Sequence, residues 1–81
     1  MRKAKRPIIR AFARVNSDHM LYDRRMGYGR VIFGTVSDVA KQYRIKINET
    51  YEGLEFEGEQ DKMQIFVQRL HFAGIPYKEI P

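Results

Sequence analysis

The residues best suited to chemistry in this 81-residue chain are cations and aromatic rings interleaved through its first half. Arg10, Phe12 and Arg14 alternate with the small apolar residues Ala11 and Ala13, and Arg24, Arg25, Tyr28 and Arg30 follow within a few turns of chain. Single-stranded nucleic acid is held by such sets, in which cations track the phosphates and rings stack on bases, each stacked base contributing about 1–3 kcal/mol. The competing reading places Phe12 in the core, with the arginine stems lying over apolar surface and their heads in water.

A second set of residues is suited to protein contact. Met20, Leu21 and Tyr22 form a short apolar cluster in an otherwise polar stretch. Ile65 and Phe72 lie seven residues apart, on a helical stripe different from the one that should face the core, with Ile75 and Tyr77 beyond them. Exposed apolar patches on a small protein mark a partner or a dimer contact.

The means for catalysis are few. There are two histidines, His19 and His71, and no cysteine. Asp18, His19 and Asp23 could hold a divalent cation or orient a general base, since a carboxylate beside an imidazole fixes its tautomer. Three such residues in a polar loop are also an ordinary solvated turn. His71 is explained as a cation at a helix end. Gly27, Gly29 and Gly34 complete neither a phosphate-loop nor a dinucleotide fingerprint. No enzyme activity, no cofactor and no metal are therefore expected.

Two local resemblances bear on the partner. Gly27-Tyr28-Gly29-Arg30-Val31-Ile32-Phe33 resembles the longer RNA-contacting motif of the RNA-recognition-motif family. It departs from that motif at Met26, where a basic residue should stand, and at Arg30, where a stacking aromatic should. The family also needs a strand and a helix between its two motifs, and Ile8 to Gly27 is too short to hold them. The family is thus not assigned, but glycines beside Tyr28 would leave its ring uncovered. Val36 to Leu54 is similar to a helix-turn-helix segment, with Ala40 at the close contact and Ile45 after the turn. Arg44 stands where that turn has glycine, and the alternation after Gly53 favours a hairpin instead.

Composition bounds the rest. Eighty-one residues allow one domain with a small core, which leaves roughly 3–5 kcal/mol of net stability unless a partner or a dimer adds to it. Without cysteine there is no disulfide and no thiolate zinc site. Arg10 and Arg14 interrupt the apolar run a signal peptide needs, and no stretch approaches the roughly 20 apolar residues of a membrane helix. A soluble cytoplasmic protein is the expectation. The formal charge of +5 is unevenly spread, with twelve Lys/Arg against four Asp/Glu in residues 1–50 and three against six in residues 51–81. Such asymmetry suits an anionic partner docking on one end.

Several elements must position these groups. Pro7 to Val15 alternates as a strand, 16–27 reads as a loop, and Tyr28 to Phe33 reads as a second strand pairing with the first. Thr35 with Asp38 caps a short helix over 35–43. Ile45 and Ile47, then Leu54 and Phe56, predict a hairpin whose outward Arg44 and Lys46 oppose Glu55 and Glu57. Met63, Phe66, Val67, Leu70 and Ala73 hold helical spacing, so a helix is predicted over 60–73, closed by Gly74 and Pro76. Tyr77 to Ile80 can add a final edge strand.

The expected molecule is a basic flexible tail, 1–6, followed by a single α+β domain, 7–81. That domain is a mostly antiparallel sheet of four or five strands with two helices on one face, in the order ββαββα plus a short last strand; a ferredoxin-like arrangement is the close variant. The expected function is binding without turnover, with nucleic acid, single-stranded or RNA, as partner. The alternative is a protein-binding module or inhibitor that acts through the apolar helix face and the 16–27 loop, facing an acidic protein surface or forming a homodimer.

Overall fold

The computed structural model describes residues 7–25 and 31–81. In chain order the elements are β1 (Ile8–Ala13), β2 (Met20–Tyr22), β3 (Ile32–Thr35), α1 (Val36–Gln42), β4 (Lys46–Glu49), β5 (Leu54–Glu59), α2 (Gln60–Phe72) and β6 (Tyr77–Ile80). Four strands form one antiparallel sheet in the order β4-β5-β1-β6, and β2 with β3 forms a separate two-stranded sheet. Without that small hairpin the chain is the ferredoxin-like, split β-α-β arrangement, so the α+β class and the final strand are as the alternation and helical spacing predict.

The sheet is covered on one face. Ala11 and Ala13 of β1 and Leu54 and Phe56 of β5 are buried with Met63, Phe66 and Leu70 of α2 and Val36, Val39 and Ala40 of α1 in a single core. The alanines of the central strand let α2 approach closely, and Phe66 meets Phe56 with ring centroids 4.7 Å apart at 58°, the tilted geometry that aromatic quadrupoles favour. Leu21 of the hairpin is fully buried in the same core. The hairpin is therefore a wall of the domain.

Helix ends follow their local chemistry. The Asp38 N–H donates to Thr35 Oγ1 at 3.1 Å, which caps α1 as its sequence predicts. Helix α1 ends through Arg44, which holds a left-handed φ of 57°. Glycine usually takes that position. Gly74, with φ of 77°, takes it after α2.

The first strand does not pair with Ile32 and Phe33, which belong to the described part of the predicted second strand; Tyr28 to Arg30 lie outside the described residues. Strand β1 lies between β5 and β6, with Arg10 opposite Glu57 on one side and Ile80 on the other. Residues 16–27 are not wholly loop either, because Met20–Tyr22 pairs with Ile32–Thr35 across a register shift. The reason is length and apolar content: β1 offers six residues with a buried small face, which the six residues of β5 match along their whole length. The helix-turn-helix alternative also fails, since β4 and β5 form the hairpin that the alternation favours.

The β4–β5 turn fits against the end of β1. Thr50 Oγ1 accepts from the Gly53 N–H at 3.1 Å and donates to the Gly53 carbonyl at 3.0 Å. A Cβ on Gly53 would fall on the Ala13 carbonyl oxygen and stand 2.9 Å from Arg14 Cα, both backbone atoms. On Gly58 a Cβ would meet the Ile45 Cδ1 at 2.6 Å, the end of a side chain that can turn aside. Gly53→Ala is thus expected to cost about 2–3 kcal/mol, the upper part of the overpacking range, and Gly58→Ala less. Urea denaturation of the two variants checks the order. Arg44→Gly should raise stability by about 1 kcal/mol by removing the left-handed penalty, read by the same assay.

Candidate functional site: a groove at the end of the sheet

Beyond the C-terminal end of β1 four segments converge. They are the β1–β2 loop (Arg14, Val15, Asn16, His19), strand β2 with its continuation (Met20, Tyr22, Arg24), the β4–β5 turn (Glu49 to Gly53) and the α2–β6 connection (Ala73 to Pro76). They enclose a groove of about 970 Å³. Leu54, Ala73 and Ile75 are its buried apolar residues and Val15 is half-buried. At the rim, Tyr51 is fully exposed and Met20 is 46% exposed. Charges of both signs line it: Arg14 and Arg24 against Glu49 and Glu52, with Arg14 Nη2 and Glu52 Oε2 3.8 Å apart. A second groove of about 720 Å³ shares Arg14, Thr50, Glu52 and Pro76 and runs past Phe12 and Lys78 onto the uncovered face of the sheet.

The hairpin wall is fixed to the end of α2 by two adjacent arginines. The Arg24 N–H donates to the Phe72 carbonyl at 2.9 Å, and the Arg24 side chain fills the space beside Gly74. Arg25 gives two hydrogen bonds to the Asp23 carboxylate, Nε to Oδ1 at 3.0 Å and Nη2 to Oδ2 at 2.8 Å. Its guanidinium lies 3.5 Å from the centroid of the Phe72 ring. Such planar, bidentate, stacked contacts are particular to arginine. Asp23 is only 5% exposed. The Arg25 hydrogen bonds hold its carboxyl below the ordinary aspartate range, although burial opposes them.

Sequence candidates are thus divided among several places. Arg10 and Phe12 lie on the uncovered sheet face. There Arg10 meets Glu55 at 3.3 Å and Glu57 at 3.9 Å, and Lys78 Nζ stands 5.9 Å from the half-buried Phe12 ring. Arg14, Arg24, Met20 and Tyr22, drawn from both the nucleic-acid and the protein-contact sets, come together around the groove. Arg25 and Phe72 stack on each other behind the wall. Leu21 belongs to the core, so its side chain offers no contact surface. Ile65 is exposed on α2, apart from the groove. Tyr28 and Arg30, and the tail 1–6, lie outside the described residues.

The Asp18, His19 and Asp23 trio does not assemble, because Asp23 turns inward to Arg25. Among the described residues no group of three or more His, Asp or Glu could hold a metal ion. None of the described helices is long and apolar enough to cross a membrane.

Sequence reasoning missed the β4–β5 turn as a site element. Tyr51 was its signal, an aromatic ring in a polar turn where no core can receive it. It also missed Arg69, which stands 4.7 Å from the Phe33 ring and reaches the Tyr43 hydroxyl at 3.5 Å. Compared with protein-family models, curated proteins and solved structures, the chain gives no match.

The Asp23 carboxylate gives the hairpin a pH dependence whose sign is fixed. Its pKa in the folded chain is depressed, so its stabilising effect is present above the ordinary aspartate value of about 3.9 and is lost as pH falls through the folded value. Asp23→Asn should melt below the parent protein at pH 7, with the gap closing as pH drops below about 4. Thermal melts across that range test this, and an equal gap at pH 7 and pH 2.5 would refute it.

Proposed function

We propose that this protein binds without turnover and that it holds an extended segment of a partner polypeptide in the end groove. The observation that carries the reading is the groove itself: apolar residues inside it, an exposed tyrosine and methionine at its rim, and cations and carboxylates interspersed around it. Rings and thioethers supply adaptable contact area. A polyphosphate prefers a wall of one sign, whereas a peptide carries both charges and backbone donors and acceptors. Glu49 and Glu52 suit the peptide.

The uncovered sheet face supports the same preference. Sheets that bind single-stranded RNA present aromatic rings on their central strands. Here the two central strands bring a single ring to that face, Phe12 of β1, and β5 sets Glu55, Glu57 and Glu59 beside it. A phosphate chain would meet these carboxylates as often as Lys46, Arg10 and Lys78. Single-stranded nucleic acid is kept as a second reading because of one observation, the twelve Lys/Arg against four Asp/Glu in the first fifty residues. Arg2, Lys3, Lys5, Arg6 and Arg30 contribute to that count.

The test is selection of peptides from a displayed random library on the immobilised full chain, followed by fluorescence anisotropy with the selected peptide. Tyr51→Ala and Met20→Ala are each expected to weaken binding by about 5- to 30-fold, the effect of losing about 1–2 kcal/mol at a contact residue. Ile65→Ala should leave it unchanged. A labelled single-stranded RNA serves as the comparison. If RNA binds more tightly than any selected peptide, with a log–log salt slope of about −0.7 per neutralised phosphate, the polypeptide reading gives way to the second.

A further inference from the structure

The uncovered face of the four-stranded sheet has an order that the groove does not use. The register places its residues in rows across the strands β4, β5, β1 and β6. One row is Lys46, Glu57, Arg10, Ile80, the next is Asn48, Glu55, Phe12, Lys78, and a third holds Glu59 and Ile8. A glutamate ladder on β5 therefore runs beside a strand that alternates arginine with apolar residues. Neither of the described helices covers this side, and Ile8 is 57% exposed.

We infer that this face is a self-complementary interface on which a second copy of the chain packs, with a two-fold axis parallel to the strands above the β5–β1 boundary. Such an axis lays β5 of one copy over β1 of the other. Glu57 then faces Arg10 of the second copy, Glu55 faces Phe12, and Glu59 faces Ile8. On the flanks Lys46 faces Ile80 and Asn48 faces Lys78. No like charges meet in any row. A two-fold axis in the same plane but across the strands would lay β1 on β1 and β5 on β5, setting the glutamates of β5 against one another and, when centred on its row, Arg10 against Arg10. Aligned sheets pack about 10 Å apart, a gap that arginine and glutamate side chains bridge from opposite sides.

The intrachain pairs Arg10–Glu55 and Arg10–Glu57 do not compete strongly. They are exposed and 3.3 and 3.9 Å long, and such pairs hold their partners weakly. Facing a second sheet, the same groups would lose water and gain strength, and Ile8, Phe12 and Ile80 would be covered. The face spans four strands of four to six residues, which lies at the small end of specific interfaces. Dimerisation should accordingly appear over micromolar to millimolar protein and weaken with salt.

The experiment is sedimentation velocity of the full chain and of two charge-reversed variants, Arg10→Glu and Glu57→Arg, alone and mixed in equal amounts. The parent chain should shift from monomer to dimer as concentration rises. Each variant alone presents like charges across the axis and should stay monomeric at concentrations where the parent is dimeric. The mixture should recover the dimer, although the intrachain Arg10–Glu57 pair is broken in both variants. A parent chain that stays monomeric up to millimolar concentration overturns the inference, as does a mixture that associates no more than its components. Circular dichroism checks each fold, and Glu55→Lys on the same ladder replaces Glu57→Arg should the latter not fold. Peptide binding in the groove is independent of this outcome, since Arg10 and Glu57 do not line it.

Discussion

The contact on which the fold depends is the tilted stacking of Phe56 on Phe66 over the alanines of β1. Both rings are fully buried and come from elements that follow each other in the chain. They can meet only because Ala11 and Ala13 present no bulk on the helix side of the central strand. A leucine in either place would push α2 away from the sheet, and overpacking of that kind costs about 1–3 kcal/mol. Once α2 is seated, its C-terminal end supplies the ring and carbonyl of Phe72 to which Arg24 and Arg25 attach the hairpin. The seat of one helix thus fixes the wall of the groove.

The same central strand changes the meaning of the charge distribution. Along the chain the cations lie in the first half and most carboxylates in the second. In space β1 from the first half lies directly beside β5 from the second, so Arg10 meets Glu55 and Glu57, and Arg14 meets Glu52. An asymmetry in sequence becomes near neutrality on a surface. Antiparallel pairing between distant segments is what converts one into the other, and composition alone carries no trace of it.

What could be read from the chain was what is local. Helix α2 was legible because five apolar residues keep one spacing and Gly74 with Pro76 ends it. Helix α1 was legible from Thr35 and Asp38, and the β4–β5 hairpin from alternation on both sides of Gly53. The partners of β1 were not legible, since its alternation would satisfy any neighbour with a matching buried face. Strand β2 has only three residues, too few for a period, and its Leu21 resembled a surface apolar residue because the core that receives it is built by α2, some forty positions later. The groove was hidden for the same reason. Its four segments are three connections and a three-residue strand, ordinary in sequence, and become a site only when the sheet closes.

Arg24 and Arg25 show how much structural work a basic pair can do that its sequence does not announce. A basic pair in a loop reads as a phosphate contact. Here Arg25 is bound to Asp23 and stacked on Phe72, while Arg24 is seated at the end of α2 beside Gly74. Both therefore act on the hairpin's position before they act on any partner. A substitution at either would alter the groove by moving its wall, and loss of binding in such a variant would not by itself identify a direct contact. Tyr51 is different, because its ring is fully exposed and buries nothing. It can be removed without disturbing the core, which makes it the rim residue whose effect on binding reports contact rather than shape.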